Sequence, residues 1–108
     1  MSRFFFLILS LTLAGAIQAK GNAENGKAKA AQICAACHGA DGSKPVAPEN
    51  PILAGQYSDY IVKALSDYKS GKRANPVMKA FAEQLKKNEI EDLAAWFSSQ
   101  KSNLHFQR

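Results

Sequence analysis

The sequence predicts an all-α domain wrapped around a bulky ligand. Three observations carry this. Apolar residues recur at helical spacing, with cap and stop residues at the segment ends. No run alternates in the manner of a strand. Long connections bearing Gly and Pro join the helical segments, and long ordered loops usually wrap or bind something. The interior on offer is thin. Apolar residues make up 46% of the 108, but 13 of them fall in residues 1–19 and 15 of the others are alanine. Residues 20–108 keep only 22 larger apolar side chains. A domain of this size buries only about 60% of its unfolded surface, so such a core needs a staple or a ligand that adds volume.

The first element is an address. Arg3 precedes an apolar stretch from Phe4 to Ile17, and small residues lead to Ala19 before the polar Lys20. This pattern predicts a secretory signal peptide over residues 1–19, cut after Ala19 or, as second choice, Ala16. The stretch has 14 residues, short of the roughly 20 that a membrane anchor needs. No Cys sits just past the exit, which argues against lipid attachment. A single domain over residues 20–108, working outside the cytoplasm, is the expectation.

The helices follow in order. Ala23 to Cys34 is rich in Ala and Lys, with Asn22 as its cap. From Ser58 to Ser70, Ile61, Leu65 and Tyr68 share a face with Ala64, and Gly71 is the expected C-terminal stop. Met78 to Leu85 has room for a short extra turn or helix. From Glu89 to Gln100, Ile90, Leu93, Ala94 and Phe97 form a stripe, with Asn88 and Glu91 resembling a capping box. Between them, the loop from Gly39 to Gln56 carries Pro45, Pro48 and Pro51, and the loop from Gly71 to Val77 carries Pro76.

Chemistry concentrates in one run, Cys34-Ala35-Ala36-Cys37-His38, which holds both cysteines of the chain. C-x-x-C-H is the pattern of covalent c-type haem attachment. Two thiols add to the haem vinyl groups, and the adjacent imidazole meets the iron from one face. Three other readings compete. A thioredoxin-like redox pair needs a βαβ pattern, which is not visible. Structural zinc needs four ligands, and the other histidine is His105 near the C-terminus. A plain disulfide suits an oxidising compartment but leaves the thin core and long loops unexplained. On the haem reading His38 is the fifth iron ligand. Met78, the one methionine of residues 20–108, is the expected sixth, its thioether carried on the loop after Asn75-Pro76-Val77. Core filling is the ordinary role of such a Met, and His105 is the fallback ligand. A Met/His pair favours Fe(II) and raises the potential. It also leaves no vacant position, which describes an electron carrier rather than an enzyme.

With these motifs in place the chain resembles the class I c-type cytochromes. The likeness is to short bacterial single-haem members and to half-domains of two-haem ones. It runs over residues 21–101 and rests on Gly26, the Cys34–Gly39 run, Pro51-Ile52-Leu53-Ala54-Gly55, Gly71-Lys72-Arg73, Asn75–Met78 and Leu93-Ala94-Ala95-Trp96. The resemblance implies a small single-domain cytochrome c fold around one covalent haem c with His/Met axial ligands. Its terminal helices cross where Gly26 meets Trp96. The resemblance also implies that the Pro51 carbonyl accepts from His38 Nδ1–H, which orients the ring and raises its basicity. Leu53, Ile61, Leu65, Val77, Phe81 and Phe97 are implied pocket residues. Tyr57, Tyr60, Arg73 and Asn75 are implied contacts to the propionates or the ligand loop.

Charge bounds the partners. Lys plus Arg is 14 and Asp plus Glu is 9, a formal +5. Lys44, Lys63, Lys72 and Lys79 are expected near the haem-exposing side, where a positive rim steers toward an acidic docking face. There is no dense basic run for nucleic acid and no amphipathic basic helix for a membrane surface. The expected function is a periplasmic shuttle in a respiratory chain. Its donor would be a quinol-oxidising complex or dehydrogenase, and its acceptor a terminal oxidase or reductase. A fixed haem subunit of a larger dehydrogenase or oxidase complex is the alternative. A haem sensor or small catalyst with a labile sixth ligand is the third possibility. The tail from Lys101 to Arg108 runs past the last helix and is expected to fray or to pack on the surface.

Overall fold

The computed structural model describes residues 20–102. The expected signal peptide and residues 103–108, with His105, lie outside the described residues. Among the described residues the elements are five helices and no strand: α1 (Ala23–Ile33), α2 (Ala35–His38), α3 (Ser58–Ser70), α4 (Pro76–Ala82) and α5 (Lys87–Ser98).

Helix α1 starts where the sequence places its cap. Asn22 Oδ1 accepts from the Asn25 N–H at 3.0 Å, which satisfies one of the free donors of the first turn. The Asn22 N–H donates to Asp92 Oδ1 of α5 at 2.7 Å, so the same residue ties the two terminal helices together. They cross at Gly26. A Cβ there would lie 2.0 Å from the Asp92 carbonyl oxygen and 2.9 Å from Trp96 Cβ. Only a glycine lets the backbones approach this closely, as the resemblance implies.

Helix α3 ends at Gly71, whose φ of 87° and ψ of 2° are left-handed, the conformation a stop glycine supplies. Two other helix starts differ from expectation. Helix α4 begins at Pro76, two residues before the expected Met78. Asn75 Oδ1 accepts from the N–H groups of Val77 and Met78 at 3.1 and 3.0 Å, and proline at N1 gives up a donor that has no partner there anyway. Met78 therefore sits in the first turn of a helix, not on a loop. Helix α5 begins at Lys87, not Glu89. The Lys86 N–H donates to Glu89 Oε1 at 3.0 Å, so Glu89 reaches back as the acidic half of a capping box. Asn88, the expected cap, lies inside the first turn.

The core joins α1, α3, α5 and the segment after α4. Ala30, Ile61, Leu85, Ile90, Leu93, Ala94 and Phe97 form one buried cluster, with Ile33, Cys34, Leu53, Val62, Leu65 and Trp96 packed against it. Leu93 and Phe97 are fully buried, each worth about 1.5–3 kcal/mol of apolar transfer. Cys34 and Leu53 rest on this cluster, so the attachment turn and the loop after it are seated on the core. The long loop between α2 and α3 is ordered by its own backbone. The Gly42 carbonyl accepts from the N–H groups of Leu53 and Ala54 at 2.9 and 3.2 Å, and the Gly55 N–H donates to the Phe97 carbonyl at 2.9 Å. The start of the tail packs beside that junction, because a Cβ on Gly55 would lie 2.7 Å from Ser102 Cβ.

Candidate functional site

Helix α2 is a single turn. The Cys34 carbonyl accepts from the Cys37 and His38 N–H groups at 3.3 and 3.0 Å. Residues three and four apart on a helical turn share a face, so Cys34, Cys37 and His38 present two sulfurs and one imidazole together. Cys34 is half-buried and Cys37 is exposed. Burial pushes the Cys34 thiol up to about 11. That environment suits a sulfur without charge. Among the described residues no three His, Cys, Asp or Glu side chains gather around a metal ion position.

His38 is the one buried polar side chain among the described residues, 6% exposed. Its Nδ1 lies 3.0 Å from the Pro51 carbonyl oxygen. A carbonyl only accepts, so Nδ1 carries the proton and Nε2 is the nitrogen left for a metal. The Pro51 contact stands as the resemblance implies. Pro51 itself is exposed, so its backbone rather than its ring touches the imidazole. The neighbouring Asn50 was not singled out by the sequence. Its Nδ2 donates to the Cys37 carbonyl at 3.1 Å. Nothing in the local sequence marks this bond, since it joins residues 13 apart; the one available sign was the position of Asn50 just before Pro51.

The other implied residues are distributed over the loop before α3, α3 itself, the loop after it, α4 and α5. Leu53 and Leu65 are partly buried on the core, whereas Ile61 and Phe97 are buried in it. Val77 is 62% exposed, Tyr60 49%, Ile52 39% and Phe81 36%. Met78 is half-buried. Asn75 acts as the cap of α4, so its contact is with the backbone that holds Met78. The Arg73 guanidinium stacks 4.7 Å from the Tyr68 ring and its Nη1 lies 3.5 Å from the Tyr60 hydroxyl, while the Arg73 backbone N–H donates to the Asp67 carbonyl. Two lysines of the expected positive rim are paired instead. Lys63 meets Asp67 at 2.7 Å and Lys79 faces Glu83 at 3.7 Å, and all four lysines, Lys44 and Lys72 included, are exposed.

These residues fit a planar apolar macrocycle with a central iron. Two thiols and an oriented imidazole share one turn, Nε2 is open, and large apolar side chains of the loop, α3 and α4 stand at the surface.

Comparison with known proteins agrees. The Cytochrome c family profile matches residues 23–101. Cytochrome c4 of Pseudomonas aeruginosa is 46% identical over 91% of this chain and 48% of its own length. A thiosulfate dehydrogenase electron acceptor of Stutzerimonas stutzeri is 39% identical over 82% of this chain and 41% of its own length. The crystal structure of reduced recombinant cytochrome c4 from Pseudomonas stutzeri superposes with a TM-score of 0.71 at 41% identity, covering 78% of this chain and 48% of that one. The chain thus spans about half the length of the cytochromes c4 it matches. On fold, motif and relatives together, it belongs to the cytochrome c family, whose domain binds haem c covalently through a Cys-x-x-Cys-His motif, here Cys34 to His38.

Proposed function

We propose that this chain is an exported electron carrier, with a signal peptide over residues 1–19 and a one-haem domain over residues 20–108. Its site consists of Cys34 and Cys37 as attachment residues and His38 and Met78 as axial ligands. The observation that carries this reading is the His38–Pro51 bond of 3.0 Å within the attachment turn. Bound haem supplies an iron that takes up and gives up one electron. The protein residues hold that iron still. Cys34 and Cys37 fix the ring edge, and Pro51 keeps the Nδ1 proton on His38 and points Nε2 outward. The Asn75 cap fixes the turn that carries Met78. His38 and Met78 together would hold the iron from two sides and leave no position for a substrate, as a carrier requires.

Location outside the cytoplasm, in the periplasm, is supported by the leader pattern and by the bacterial relatives. No helix among the described residues is long and apolar enough to cross a membrane. The donor class is supported by the relative described as a thiosulfate dehydrogenase electron acceptor, which favours a dehydrogenase as donor. The acceptor would be a terminal oxidase or reductase with an acidic docking face. The same relative leaves room for a second reading, a fixed haem subunit of a dehydrogenase complex. Native mass measurement on the exported protein separates the two, since a shuttle runs free of the partner.

The test of the site is a visible spectrum of the exported protein, oxidised and reduced. A sharp reduced c-type spectrum, with the weak far-red band of Met-ligated ferric haem in the oxidised form, is the expected result. Haem without that band would remove Met78 from the ligand set. A protein without haem would overturn the reading as a whole.

A further inference from the structure

We propose that Asn50 is a positioning residue for His38: its side-chain amide clamps the Cys37 peptide, and through it the imidazole. The inference rests on the ligand role of His38 proposed above. Helix α2 has four residues, and so short a helix does not hold itself. The chain leaves it at Gly39, so the Cys37 carbonyl has no helical partner. Two donors from the following loop take that carbonyl. The Val46 N–H donates at 3.1 Å and Asn50 Nδ2 donates at 3.1 Å. The next residue, Pro51, accepts from His38 Nδ1 at 3.0 Å.

Two consecutive loop residues thus grip two consecutive residues of the attachment turn, one by its peptide and one by its ring. The grip is stiff. The fixed φ of proline removes one of the two backbone rotations between the Asn50 peptide and the Pro51 carbonyl. The Asn50 N–H donates to the Ala47 carbonyl at 3.1 Å, closing the turn that presents the side chain. The partner is a carbonyl, so Asn50 must offer its NH2 group. An aspartate of the same shape would set an acceptor against an acceptor. Without the Asn50 amide the Cys37 carbonyl keeps only the Val46 N–H, so its peptide gains rotational freedom, and the His38 ring gains it relative to Pro51.

The experiment uses the reduced, diamagnetic holoprotein and NMR. His38 ring protons strongly shifted by the macrocycle in the wild type establish its ligation without reference to Asn50, so a failure there is a failure of the ligand assignment alone. A scalar coupling from Asn50 Nδ2 to the Cys37 carbonyl carbon is then expected in the wild type, and its absence would overturn the clamp with no variant needed. In Asn50→Ala and Asn50→Asp, solvent exchange of the His38 Nδ1 proton should quicken about fivefold, as the loss of one hydrogen bond implies. The Leu93 and Phe97 amides of α5 should keep their wild-type rates. Unchanged Nδ1 exchange in both variants overturns the proposal. Wild-type behaviour in Asn50→Asp alone overturns the donor role. Equal acceleration at α5 would mark Asn50 as a residue of general stability and overturns positioning as well.

Discussion

His38 and Met78 are the two residues on which the proposed electron carrier depends, and the chain fixes them by different means. His38 is buried and held by Pro51 at 3.0 Å. Met78 is half-buried on the first turn of α4, where Asn75 accepts from its N–H at 3.0 Å. Met78→Ala removes the thioether and leaves the backbone of α4 and its cap intact. The reduced variant is expected to bind carbon monoxide readily at neutral pH, whereas the wild type binds it slowly or not at all. Identical carbon monoxide spectra for the two proteins would remove Met78 from the iron. The attachment residues were legible in the sequence because their geometry is local: i, i+3 and i+4 on one turn need no tertiary information. Resemblance and scarcity single out Met78 as the ligand proposed here, and the sequence expects it on a loop, whereas it lies in the first turn of α4. The pair Asn75-Pro76 is itself a helix-start signature, although proline also punctuates loops. The Asn50–Cys37 bond was not legible, since the fold alone brings those residues together.

At the scale of elements, the crossing of α1 and α5 carries the fold. Gly26 was legible because the resemblance pairs it with Trp96, and the 2.0 Å clash of a Cβ with the Asp92 carbonyl supplies the reason. Backbone cannot yield as a side chain tip can. Gly26→Ala is therefore expected to destabilise the holoprotein by at least about 2 kcal/mol, read as a lower denaturant midpoint. An unchanged midpoint would mean that the helices separate freely. The same crossing is tied by Lys29 and Glu89 at 2.6 Å. The Lys29 side chain, and after it the Lys86 N–H, hold the Glu89 carboxyl below its ordinary value of 4.5. A carboxyl so lowered stabilises the fold above its unfolded pKa and loses that contribution as pH falls through its folded pKa. The window therefore lies below about pH 4.5. The thermal midpoint of Glu89→Gln is expected to lie below that of the wild type at pH 6, and the two should converge toward pH 3. Parallel curves across that range would remove Glu89 from the acid response. The sequence placed the α5 cap on Asn88 because Asn is a common cap. The structure uses a Lys86 peptide and the Glu89 carboxylate, which only the backbone path reveals.

For the whole molecule, the thin interior and the surface charge belong to one design. Among the described residues the buried apolar set includes four alanines, with Phe97 and Leu93 the largest side chains fully inside. A covalent macrocycle adds the apolar volume that such a chain lacks, so the composition arithmetic anticipated a ligand before any motif was considered. Surface charge then governs encounter. Residues 20–108 carry 13 basic and 9 acidic side chains, a formal +4, and Lys44, Lys72 and Lys101 are exposed, while Lys63 and Lys79 face carboxylates of their own helices. Electrostatic steering acts over about 30 Å at 0.01 M ionic strength and about 10 Å at 0.1 M. Oxidation of the reduced protein by an anionic complex such as hexacyanoferrate(III) is therefore expected to slow as salt is raised. A cationic oxidant should behave in the opposite sense. Lys44→Glu reverses one charge on the loop that leads from the attachment turn toward Pro51. It should lower the low-salt rate with the anionic oxidant by roughly tenfold, and the rates of variant and wild type should meet at high salt. Lys63→Glu, which replaces a lysine already matched by Asp67, serves as the comparison for general loss of positive charge. A larger fall in Lys44→Glu than in Lys63→Glu assigns the encounter face to the side of the attachment turn. Equal falls would mean that net charge, and not a local rim, attracts the partner.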